Sequence, residues 1–409
     1  MTNRLMCVLC VSLIGLATAT AQEPGKEILV SPVAPLGVSD ESSGSPLFSE
    51  GRAAGNGERG WVSGDFLFAW MRGTNLPPLV TTSPVGTPRT TAGVLGAAGT
   101  TTLFGDSVDD KLRPGFRLGA GYWFNPQQTF GIETGVMLVG SQTAKFSAVS
   151  NDGTILARPF FDINGLSPQA VLVAFPGSSN GSIDIQAKSG SLFETHLDIT
   201  EKAIDTGWLR LSGLIGYRYF RYDESLRIQQ TLTPTNGNFI PGTQALTNDN
   251  FSTHNDFQGI DLGYRWQFTR DAWSLEVLTK VAVGRLYRSA TVAGDQTVNV
   301  PGVTPVSAAA GVLALGSNSG TLSYADWRAI PEFGATLGWQ VRPNLSVRFG
   351  YTFMYFNAFA RAADQVDTII NTNFFPGSKI QGGVNQPRLD LHRSDFWLQT
   401  ANVGVEWTF

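Results

Sequence analysis

Histidine is the side chain best suited to moving protons near neutral pH, and the chain has three: His196, His254 and His392. His392 opens the run HRS, a His-x-Ser spacing in which Ser394 could act as nucleophile while Asp390 or Asp395 orients the imidazole. His254 lies in STHND, two residues before Asp256, which suits an Asp–His dyad at an outer rim. His196 stands between Glu194 and Asp198, all at alternate positions. The first two fall in polar connections, where a solvated loop is the default. The third fits a charged strand face. The DSVDD run (Asp106, Asp109, Asp110) and the Asp249–Asn250 pair could offer oxygen ligands to a hard cation, yet neither has the spaced loop such an ion requires. No phosphate-cradling or zinc-binding motif occurs. No catalytic residue, metal or cofactor is therefore assigned.

The elements that would hold these residues begin with an export signal. Arg4 gives a positive start, Leu5 to Leu16 an apolar core, and Ala19-Thr20-Ala21 a small-residue cleavage site. Residues 1–21 read as a signal peptide and 22–60, rich in Gly, Ser and Pro, as a disordered leader. Both cysteines, Cys7 and Cys10, lie in the signal, so the mature chain has no disulfide or thiolate chemistry. Without Arg4 it carries 28 bases and 33 acids, a formal charge of −5. That mild acidity argues against nucleic acid as a partner.

From Trp61 to Phe409 ten segments alternate apolar and polar residues over about 9–14 positions, the reach of a tilted strand crossing a bilayer. Short turns (NPQQ, EKAIDT, TRD, RP) join alternate pairs of segments, and connections of about 30–50 residues separate the others. The expected fold is all-β: a transmembrane antiparallel up-and-down barrel, with ten strands, or twelve if long loops add hairpins. Long loops face the exterior and short turns the periplasm, which places the chain in the bacterial outer membrane.

With the apolar parity facing lipid, the opposite parity lines the lumen. It carries Asp65, Arg117, Glu133, Glu194, Asp198, Arg210, Arg218, Asp261, Arg265, Glu276, Lys280, Glu332, Arg348 and Glu406. Eight acids against six bases suit a paired network, or a water-filled path, more than a pore selective for one sign. Trp61, Trp123, Trp208, Trp266, Trp273, Trp339 and Trp407 cluster at the periplasmic strand ends, and Trp70 and Trp397 near the opposite rim. They read as aromatic girdles at the two interfaces. The ending NVGVEWTF places Val403, Val405, Trp407 and Phe409 on one face.

Several stretches resemble the β-barrel porin-7 family of bacterial envelope proteins. They are LPPLVTTSP, GVLG with TTLFG, LARPF, DNFSTHNDFQGIDLGY, KVAVG, IPEFGATLGW, VRFGYTFMYFNAFARAADQVD and the DFW of Asp395 to Trp397. The resemblance covers nearly all of 61–409 and implies an outer-membrane barrel of unassigned substrate. The last residues also resemble the assembly signature of such barrels, with Asn402, Gly404, Trp407 and Phe409 in its places. The expected function is a porin-like passive channel or a structural envelope barrel, and not an enzyme. Its expected partners are outer-membrane lipid, the barrel-assembly machinery and small solutes or ions. The rivals are an outer-membrane hydrolase built on His392 or His254 and a loop-mediated adhesion or scaffold protein.

Overall fold

Lipid offers the backbone no hydrogen bonds, so a strand sheet that crosses it must close on itself. The computed structural model describes residues 58–409 apart from 109, 110, 152, 238 and 381. The expected signal peptide and all of the leader up to residue 57 lie outside the described residues. Ten strands form a closed antiparallel ring in chain order. They are β1 (Gly60–Met71), β2 (Arg113–Trp123), β3 (Phe130–Val139), β4 (Leu192–Asp205) and β5 (Leu209–Pro234). Then come β6 (Gln244–Arg270), β7 (Trp273–Asn299), β8 (Gly320–Arg342), β9 (Leu345–Phe359) and β10 (Ser394–Thr408). Each pairs with its neighbours in sequence, and β1 closes on β10 from Trp61 opposite Thr408 to Met71 opposite Leu398. All ten expected segments form barrel strands.

The long connections are where the expectation changes. They add strands, but these build a cap outside the membrane and not extra staves. β5, β6 and β7 run 26, 27 and 27 residues, far beyond the bilayer. Strands Gln142–Ser150 and Ser179–Ser189 prolong the β3–β4 hairpin, and Ser179–Ser189 pairs with the upper half of β5. A second sheet, formed by Thr74–Thr82, Thr101–Val108, Leu156–Asp162, Ser167–Ala174 and Ile369–Ile370, packs on this extension. Its contact is a buried core that includes Leu79, Val80, Leu156, Val173, Ile183, Ile185, Leu226, Ile228 and Phe251.

One parity serves both environments. On β5 the outward residues are Leu211, Ile215, Tyr217 and Tyr219, then Arg221, Asp223 and Ser225. The inward residues run Arg210, Ser212 and Arg218, then Phe220, Tyr222, Leu226 and Ile228. Apolar groups thus face lipid below Tyr219 and the protein interior above it. β6 switches in the same way: Ile260, Leu262, Tyr264 and Trp266 face out, while Phe251 and Phe257 face in.

Ring closure also explains the end of the strand. The Arg59 and Gly60 N–H groups donate to the Phe409 carbonyl at 2.8 and 2.9 Å, and the Phe409 N–H donates to Gly60 O at 2.9 Å. The Phe409 ring sits where a Cβ on Gly60 would be. Deleting Phe409 removes these three closing bonds and is expected to lower the yield of heat-modifiable, membrane-inserted protein several-fold. Unchanged yield on semi-native gels would reject that role.

Candidate functional site

The lumen is filled in tiers. At the periplasmic end lies a polar cavity of about 200 Å³, lined by Gln128, Arg210, Arg265, Glu276, Arg348 and Glu406, among others. Above it, inward charges join strands across the ring. Arg218 on β5 reaches Glu332 on β8 at 2.5 Å and Asp261 on β6 at 2.8 Å, with Glu194 on β4 at 3.7 Å. Lys280 on β7 reaches Asp198 on β4 at 2.5 Å and Asp261 at 2.7 Å. Arg265 forms a two-pronged pair with Glu133 on β3 at 2.6 and 2.7 Å, and approaches Glu276 at 3.4 Å.

The remaining expected lumen charges face inward as well. Arg348 pairs with Glu406 at 2.8 Å, and Arg210 lies by Asp205 and Gln128 at the lower mouth. Asp65 and Arg117 are cross-strand neighbours on β1 and β2. Arg117 also approaches Thr352 at 3.4 Å. These fourteen residues therefore share one interior, most of them ion-paired.

Immediately above is an apolar tier to which every barrel strand except β2 contributes. Its centre is an aromatic cluster. Phe356 stacks on Phe396 at 4.7 Å and meets Phe220 edge-on at 5.3 Å, while Phe359 and Tyr222 pack against Phe396. Sequence reasoning missed this tier because it followed only the charges of the inward parity, although Phe220, Phe356 and Phe396 lie at the ends of the segments it read.

The chain that leaves β9 closes the mouth. Asn255 holds Ala360 through both its N–H and its carbonyl, at 2.8 and 2.9 Å. Glu224 accepts from Arg361 at 2.7 and 3.0 Å, from Ala362 N–H at 3.0 Å and from Tyr222 at 2.8 Å. Arg361 in turn donates to the carbonyls of Arg72 and Gly73. Asp249, weighed above as a cation ligand, is committed elsewhere. One of its oxygens accepts the N–H groups of Val312, Leu313 and Ala314, and the other meets Arg158 at 2.6 Å.

The histidines are not brought together. His254 faces outward above the lipid belt, with Nδ1 at 2.5 Å from Asp223 and Nε2 against Asp256. Both ring nitrogens are occupied, and a cleft of about 540 Å³ lined by Ser225, Ser252 and Ser289 lies beside it. The backbone of His392 is tied to Gln365, and no hydrogen bond to Ser394 or a carboxylate forms from its ring among the described residues. His196 Nδ1 lies 2.8 Å from the Glu194 carboxylate inside the ion tier, as its position implied. Glu133, His196 and Asp198 offer three atoms within 4.8 Å of one another, the one such group among the described residues. Arg265 and Lys280 already neutralise its two carboxylates.

Of the nine tryptophans expected in the girdles, Trp70, Trp208, Trp273, Trp339 and Trp407 are exposed, with Trp273 stacked on Trp339 and Trp208 beside Phe268. Trp61 and Trp123 depart from the expected girdle: both line the periplasmic cavity. The Trp61 ring occupies the space a side chain on Gly121 would need. Trp61 shares its parity with Ser63 and Asp65, so the alternation already assigned it inward. Asn402 and Gly404 face the lumen, while Trp407 and Phe409 face out with their rings 5.3 Å apart.

A closed ten-stranded antiparallel ring with an apolar outer belt and a charged interior defines an outer-membrane β-barrel. The chain belongs to the family described as Putative beta barrel porin-7, whose model matches residues 61–409. No curated protein matches this sequence. Among solved structures it is similar to the outer membrane protease OmpT of Escherichia coli, at 9% identity and a TM-score of 0.41, covering 87% of this chain and 98% of that one. It is also similar to Ail, the attachment invasion locus protein of Yersinia pestis, at 10% identity and a TM-score of 0.22, covering 86% and 99%. A third is the Pseudomonas putida toluene transporter TodX, at 8% identity and a TM-score of 0.21, covering 86% and 90%.

The ion tier makes a direct prediction. Arg265→Met leaves Glu133 buried without its two-pronged partner and is expected to cost about 3–5 kcal/mol, whereas Arg265→Met with Glu133→Gln recovers most of the loss. The temperature at which the compact band disappears on semi-native gels reads both. Equal midpoints for wild type and Arg265→Met would show that the pair contributes nothing.

Proposed function

We propose that this protein is a structural envelope barrel that carries a folded external cap, and that it does not work as a passive diffusion channel. The observation that carries this reading is the two-tier filling of the lumen. A path across the barrel would have to pass the Arg218–Lys280 ion pairs and then the Phe220–Phe356–Phe396 cluster. A desolvated ion pair under an apolar layer gives water and solutes no continuous wet route. The sandwich above supports the same reading, because its two sheets share a buried core and present a rigid surface to the exterior. The chain's own residues then act as anchor and display: lipid-facing strands hold the barrel, the charged lumen stiffens it, and the cap meets whatever lies outside. The hydrolase alternative gains little from His254, whose ring nitrogens are both engaged by carboxylates.

Two measurements test the proposal. Purified protein in planar bilayers is expected to give no discrete conductance steps over a wide voltage range; regular steps in wild type would overturn it. Leu166 is 75% exposed on the cap, and the two native cysteines both precede the barrel. Leu166→Cys should therefore react with a membrane-impermeant maleimide on intact cells. Protection there, with labelling after lysis, would place the cap on the wrong side of the membrane.

A further inference from the structure

β8 is paired on both edges only below Pro331. Its pairing with β9 runs from Arg342 opposite Leu345 to Glu332 opposite Met354. Its pairing with β7 continues upward to Gly320. Above Met354, β9 pairs with β10 alone, from Tyr355 opposite Trp397 onward. Proline has no N–H to give a ladder, and Pro331 stands where the two strands part. The barrel wall therefore has a lateral seam between upper β8 and upper β9.

Arginines fill this seam. Arg288 on β7 points inward behind β8, fully buried. It reaches Asp326 at 2.5 Å and spans the gap to donate to the Ala358 carbonyl near the end of β9. Arg328 grips the same Asp326, with its Nε at 3.1 Å and Nη2 closer still. Arg393, in the segment immediately before β10, lies 3.7 Å from Asp326 with its side chain 43% exposed. Arg288 and Arg393 both lie against the Tyr324 ring, at 5.5 and 5.9 Å. Three guanidinium groups thus share one carboxylate.

The other carboxylate nearby, Asp395, is engaged by the Tyr355 hydroxyl and the Ala358 N–H. Arg288 Nε is buried without a hydrogen-bond partner. The cluster stands above the lipid belt, whose last apolar row on β7 is Val283. There, burial pushes the Asp326 carboxyl up, but hydrogen bonds from Arg328 and Arg288 outweigh it and hold it below the usual range. Asp395 takes its bonds from neutral donors and keeps its charge, so two carboxylates stand against three guanidinium groups.

The height of the seam identifies the missing anion. Immediately outside it, Trp327 is 66% exposed, with the exposed Arg285 as its cross-strand partner. Exposed Trp beside Arg marks the headgroup level of a membrane. Planar guanidinium forks suit phosphate oxygens, which they can hold with two hydrogen bonds each. We propose that the β8–β9 seam is a binding site for the phosphate group of an outer-leaflet lipid, with Arg328 and Arg393 as its direct ligands and Arg288 as the buried charge behind them.

Native mass spectrometry of the full-length protein in detergent tests this, with phosphatidic acid as probe and the matching diacylglycerol and inorganic phosphate as comparisons. Wild type should retain phosphatidic acid and release the diacylglycerol. Arg393→Gln with Arg328→Gln should weaken retention about tenfold or more, the effect of losing charge-assisted hydrogen bonds. Asp326→Asn removes the competing carboxylate and should tighten retention, a result that a merely structural cluster would not give. Retention in the double glutamine variant equal to wild type, with the compact band intact on semi-native gels, would overturn the proposal. Displacement of the lipid by equimolar inorganic phosphate would overturn the lipid as its source.

Discussion

Side chains of a strand alternate between two faces, and that constraint governs this molecule from one end to the other. Within the membrane the outer face must be apolar, since a charge there costs about 2–4 kcal/mol near the midplane. Above the membrane the same face meets water, and the only place left for apolar side chains is inside. β5 cannot change parity without a bulge, so it changes composition. Tyr217 and Tyr219 give way to Arg221 and Asp223 outside, while Arg218 gives way to Phe220 and Tyr222 inside. The aromatic tier and the cap core follow from this exchange. So does the position of the ion tier, which lies inside the lipid-covered part of the ring.

Much of this was legible in the sequence. The ten alternating segments became the ten barrel strands, because a lipid-facing parity carries the strongest period-2 signal a chain can show. The inward charges were legible for the same reason. Their pairings were not. Arg218 and Glu332 are 114 residues apart and meet only because the ring closes, bringing β5 and β8 face to face across the lumen. No spacing rule can supply that. Trp61 and Trp123 show the opposite failure. Clustering at strand ends suggested a girdle, yet the parity of Trp61 with Asp65 already pointed it inward.

The cap escaped detection for physical reasons. Its strands are short, seven to nine residues apart from the two-residue Ile369–Ile370, so they lack the long alternation of a membrane strand. Thr74–Thr82 reads TNLPPLVTT, and two adjacent prolines argue against a strand on composition alone. Upper β5 and β6 did keep their alternation, through Leu226 and Ile228 or Phe251 and Phe257, but with the apolar parity now opposite to the one that marks lipid. A search for lipid-facing strands therefore stops where the water begins. The loops were long because they had a second core to build.

The tiers also depend on one another. A buried ion pair gains little net stability over apolar packing, since desolvating both charges offsets most of their attraction. The pairs here are better explained by specificity than by strength. Three chords, Arg218–Glu332, Lys280–Asp198 and Arg265–Glu133, join strands three places apart around the ring. A slip of one residue in any ladder would turn these charges toward lipid and the apolar residues toward the lumen. The phenylalanine layer excludes water from above and sharpens that penalty, since an unpaired charge beneath it has no solvent on that side to turn to. The network thus holds the register that the outer face requires, and the seam at Pro331 begins one residue beyond one of its acids, Glu332.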